Sequence, residues 1–136
     1  MNKNIHTLLF ITSLFFGSST YASTNPYAQM LPVKTPQLTP GKIEFTNVNQ
    51  STSAQLPRPL FIVGDDALSH RWLTHYEDKL KSINAIGIIV NVTTEQGLNR
   101  FKQYSLQIYP VQGHDFAKTF SLKHYPVLIH DGRLTQ

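Results

Sequence analysis

The sequence predicts a small α/β domain with a mixed sheet. Three observations carry this. Leu60-Phe61-Ile62-Val63 and Ile86-Gly87-Ile88-Ile89-Val90-Asn91-Val92 are short apolar runs, the second rich in β-branched side chains; such runs mark strands buried on both faces. Between them, apolar residues recur at Leu68, Trp72, Leu73, Tyr76, Leu80 and Ile83, the spacing of one helix face. Near the end, Asp131-Gly132 is a dipeptide of tight hairpin turns.

In chain order, Leu60–Val63 is the first strand, and Gly64-Asp65-Asp66 ends it and supplies a helix cap. In the helix that follows, Arg71, Glu77, Asp78, Lys79 and Lys81 fall mostly between the apolar positions. After the strand at 86–92, Thr93-Thr94-Glu95 opens a second helix, with Thr as cap and an acid in the first turn. Leu98, Phe101 and Tyr104 face inward. Leu106–Tyr109 is a third strand ending at Pro110. His114-Asp115 opens a third, brief helix whose buried side is Phe116, Ala117, Phe120 and Leu122. Tyr125–Ile129 is the fourth strand, and Arg133-Leu134-Thr135 returns as the fifth.

The order β-α-β-α-β-α-β-β favours a sheet that is parallel in part, closed by an antiparallel hairpin. A thioredoxin-like layer arrangement without redox cysteines fits this order, with a small flavodoxin-like sheet as the alternative. Tyr125-Pro126 supports the former, because proline at the head of a strand sits at an edge, a strand start or a special turn.

Two segments precede this domain. Residues 1–22 read as a signal peptide. Lys3 gives a positive start, Thr7 to Phe16 is an almost unbroken apolar run, and small residues lead to cleavage after Ala22. A run of about ten residues is half of what a bilayer-spanning helix needs, so no transmembrane helix is expected in the mature chain. Residues 23–59 read as a Pro-rich extended linker, with Pro26, Pro32, Pro36, Pro40, Pro57 and Pro59 barring a helix. Met30–Val33, Leu38–Gly41 and Lys42–Val48 carry apolar groups suited to an edge strand or a docking segment. Residues 60–136 are the α/β domain.

Composition narrows the function classes. The chain has no cysteine, which excludes thiol-disulfide chemistry, cysteine nucleophiles and cysteine-ligated zinc. The formal charge of +4 is spread thinly, without the dense Lys/Arg run of a nucleic-acid footprint, so no direct nucleic-acid contact is expected.

Asp65 and Asp66 stand at a strand end, where α/β proteins place ligands. Haloacid-dehalogenase-type phosphotransfer separates its two acids by one residue, whereas these are adjacent, and capping explains both. His6 leaves with the signal. His70, His75, His114, His124 and His130 lack metal-ligand spacing; His70 and His75 are not an i,i+4 pair. Ser69 and Ser105 lack a nucleophile-elbow context. Gly64 and Gly113 stand without phosphate-loop companions. The aromatics Trp72, Tyr76, Phe101, Phe116 and Phe120 have core spacing. No residue is therefore assigned a catalytic, cofactor-binding or metal-binding role, and no cofactor is expected.

Several segments, taken in order, carry a resemblance. They are Met30–Val33, Leu38–Gly41, Phe61–Asp66 with Ser69 and Trp72-Leu73, Ala85–Val92, Pro110–Gly113 and His124–Ile129. This set resembles the integrating conjugative element protein family of unknown function, found in gene clusters for conjugative transfer. The resemblance runs from about Met30 onward. It implies a periplasmic accessory of a type IV secretion-like conjugation apparatus, with other proteins of that apparatus as partners. It supplies no catalytic residues. The leading expectation is a non-enzymatic assembly component exported to the periplasm. The alternatives are a periplasmic metal-dependent hydrolase using Asp65 and Asp66, and a periplasmic small-ligand binding module.

Overall fold

The computed structural model describes Gly17, residues 25–44, 46–48, Thr52 and residues 54–136. The signal-peptide reading, with its cleavage point after Ala22, lies outside the described residues apart from Gly17. The chain is mixed α/β, as the apolar pattern predicts. Its strands are β1 (Thr39–Pro40), β2 (Thr46–Asn47), β3 (Leu60–Val63), β4 (Ile86–Ile89), β5 (Gln107–Pro110), β6 (His124–Tyr125), β7 (Val127–His130) and β8 (Arg133–Thr135). Among the described residues the α-helices of five residues or more are α1 (Ala67–Ser82), α2 (Glu95–Asn99) and α3 (His114–Thr119), and α2 runs on into a 3-10 turn, Arg100–Gln103.

The main sheet has the order β2-β8-β7-β3-β4-β5. β3, β4 and β5 are parallel; β7 lies antiparallel to β3, and β8 and β2 continue antiparallel. Strand alternation divides the core into two layers. Phe61, Val63, Ile89 and Leu128 face Trp72, Leu73 and Leu80 of α1 and Leu98 of α2. Leu60, Ile62, Ile88, Val127 and Ile129 face Ala117 of α3 with Phe120 and Leu122. A period-2 pattern in strands covered on both sides produces this split, because successive side chains point to opposite faces. Gly87 is required where β4 passes β3: an added Cβ there would collide with the Phe61 ring.

Local signals behave as their chemistry predicts. Asp131 and Gly132 both take positive φ, 50° and 71°, the mark of a two-residue type I′ hairpin. Thr94 caps α2 by accepting from the Gly97 amide at 3.0 Å.

Three expectations need adjustment. The fourth strand is not continuous from Tyr125 to Ile129. Pro126, preceded by a cis bond, has no N–H for the ladder, so β6 leaves to pair in parallel with β1 while β7 enters the main sheet. The third strand shifts by one residue to include Pro110, which β5 tolerates because it is the edge of the sheet. The second strand stops at Ile89, and Val92 instead pairs with Val33.

That pairing changes the reading of residues 23–59 as a linker ahead of the domain. The described part of this stretch is not extended throughout: it holds a 3-10 turn, Ala28–Met30, and a turn closed by the Leu38 amide on the Thr35 carbonyl, and it packs. Val33, Thr35 and Leu38 are buried, β1 joins β6, and β2 forms the edge of the main sheet. The prolines do not bar helical turns from the stretch, since Ala28–Met30 is a 3-10 turn and Thr52 is helical, and they leave the neighbouring apolar and hydroxyl side chains free to dock.

Candidate functional site

The C-terminal end of β3 gathers four of the polar residues that sequence reasoning weighed, Asp65, Asp66, Ser69 and His70. Gly64 brings the turn tight against Tyr125, whose ring an added Cβ would meet at 2.5 Å. The two acids then diverge. Asp66 caps α1: its Oδ1 accepts from the Ser69 amide at 2.8 Å and its Oδ2 accepts from the Ser69 hydroxyl at 2.9 Å. Ser69 Oγ accepts in turn from the Gly64 amide at 3.0 Å. Ser69 is fully buried, so this serine is bound into the turn and is not a free nucleophile.

Asp65 is not a cap. Its Oδ1 lies 3.0 Å from His70 Nε2 and 3.5 Å from Arg100 Nε. His70 Nδ1 lies 2.8 Å from the Tyr104 hydroxyl, and that hydroxyl also reaches the His70 carbonyl at 3.1 Å. The imidazole packs near Phe101 and stacks on Tyr104, with ring centroids at 4.7 and 5.8 Å. Both ring nitrogens are engaged, so His70 presents no open lone pair to a substrate. Burial raises the Tyr104 phenol from its ordinary value. The group works as a buckle joining the β3–α1 turn, α1 and the 3-10 turn.

An open hollow of about 670 Å³ lies beside the buckle, lined by His70, Arg71, Thr74, His75, Gln103 and Tyr104. His75 packs edge-on against Tyr76 and does not join His70. His114 starts α3, His124 Nδ1 lies 3.1 Å from the Thr39 hydroxyl, and His130 lies 3.4 Å from Asp131. Among the described residues, no group of three or more His, Asp or Glu side chains stands close enough to hold a metal ion. Likewise, no described helix is long and apolar enough to cross a membrane.

On the other side of Tyr125 lies Asn91. Its Oδ1 accepts from the Thr35 amide at 2.7 Å, and its Nδ2 donates to the Leu38 carbonyl at 3.0 Å and to the Tyr125 hydroxyl at 3.2 Å. Burial raises the Tyr125 phenol; the Asn91 bond opposes this and the Asp66 charge adds to it.

Sequence reasoning missed Arg100, Tyr104 and Asn91 as members of this region, and it missed the Asp65–His70 contact. One signal was present. Asn91 interrupts an otherwise apolar run, and a buried amide needs partners. The i,i+5 spacing of Asp65 and His70 carries no such signal, since it depends on how the turn enters α1.

Residues 16–134 match the family described as "Protein of unknown function (DUF2859)", and the chain belongs to that family. No curated protein and no solved structure matches it.

Proposed function

We propose that this member of the DUF2859 family is a non-enzymatic periplasmic accessory or assembly component of the conjugative DNA-transfer apparatus of an integrating conjugative element. The observation that carries the non-enzymatic reading is the state of the β3 end. Both Asp66 oxygens and the Ser69 hydroxyl are spent on the α1 cap, and Asp65 Oδ1 is engaged by His70 and Arg100. A hydrolase using Asp65 and Asp66 would need those oxygens facing a substrate or an ion.

The fold we assign is thioredoxin-like, without redox cysteines. Support comes from the β3-α1-β4 parallel unit, the β7-β8 hairpin placed antiparallel beside β3, and Pro126 at the head of β7. The charged start, short apolar run and small residues of positions 1–22 support export. The ordered segments from Met30 to Ile129 support the conjugative setting, and the partners are then other proteins of the apparatus. A ligand-binding module is the second reading, favoured by the open hollow beside His70.

The test is a donor strain with the intact transfer cluster and this gene deleted. Deletion should lower transfer, and wild type, Asp65→Asn and Asp66→Asn should each restore it at equal protein level in the periplasmic fraction. Pull-down should recover other products of the cluster. Unchanged transfer on deletion refutes the conjugative setting. Abundant Asn variants that fail to transfer refute the non-enzymatic reading and favour acid-dependent chemistry.

A further inference from the structure

We draw no further inference here: the strongest candidate, the largely apolar groove of about 210 Å³ between residues 25–27 and the sheet-edge strand β5, lined by Leu98, Phe101, Lys102, Leu106 and Ile108, carries nothing because no observation in the structure shows what covers it.

Discussion

Replacing Asp66 separates capping from chemistry. Asp66→Ala removes the acceptor for the Ser69 amide, a cap loss of about 0.5–2 kcal/mol. It also strands the Ser69 hydroxyl proton, whose acceptor is Asp66 Oδ2 at 2.9 Å. Ser69 is fully buried, so water does not replace that acceptor, and an unsatisfied buried donor costs about 1–3 kcal/mol. Together the loss is about 1.5–5 kcal/mol. Asp66→Asn keeps the cap oxygen but turns the second oxygen into a donor. Ser69 Oγ, already accepting from Gly64 at 3.0 Å, then accepts twice and must redirect its own proton. Its cost should lie near 1 kcal/mol, in the range of one ordinary hydrogen bond. Urea melts measure both, and thermal melts should follow at roughly 4–8 °C per kcal/mol for a domain of about this size. An Ala variant within 1 kcal/mol of wild type, or an Asn variant as unstable as Ala, would refute the reasoning.

Three further predictions follow from the core and from Tyr125. Trp72→Ala should cost about 3–5 kcal/mol, because the indole is buried against Phe61 and Tyr76; an unchanged melting temperature would show that this face of α1 does not carry the core. Gly87→Ala should cost about 1–3 kcal/mol by overpacking, since its Cβ would enter the Phe61 ring, and Phe61→Leu in the same chain should recover part of the loss in a double-mutant cycle. Tyr125 has a folded-state pKa raised from an ordinary value of 10.0. The folded state thus holds the phenol proton more tightly, so stability is unaffected below about pH 10 and falls as pH rises through the folded pKa; Tyr125→Phe should flatten that decline in urea melts taken at increasing pH.

Most of the sheet is legible in the sequence because its central strands are covered on both faces. A run such as Leu60–Val63 has no solvent-facing position, so its apolar character is unbroken. The helix between β3 and β4 is legible for the opposite reason. It is covered on one side, and its buried Trp72, Leu73 and Leu80 stand out against charged neighbours. What the apolar pattern does not reveal is the packing of residues 25–48. Among the described residues there, Val33 and Leu38 are the buried apolar side chains, too few to make a period. The rest of the stretch is held by backbone bonds, by side-chain bonds of Asn25, Thr35 and Asn91, and by partly buried Leu31, Ile43 and Val48, a scattered set with no period.

The candidate site shows the same division between what local sequence encodes and what only the fold assembles. Capping is local. An acid three residues before Ser69 is enough to place the Asp66–Ser69 bonds, and the sequence announces them. The His70 buckle is assembled by the fold. Its partners come from the β3–α1 turn, α1 and the 3-10 turn, and Tyr104 meets His70 only because α1 and the 3-10 turn share one face of the sheet. Asn91 falls between these cases. Its position inside an apolar run says that it must be satisfied, but not by what. The answer is the stretch least like a folded domain in composition. A buried amide able to bind Thr35 and Leu38 converts a proline-flanked segment into one wall of the domain. Side chains complete that wall: the Thr35 hydroxyl bridges the Val90 carbonyl and the Gly113 amide, and Leu38 enters the core layer beside Val90 and Tyr125.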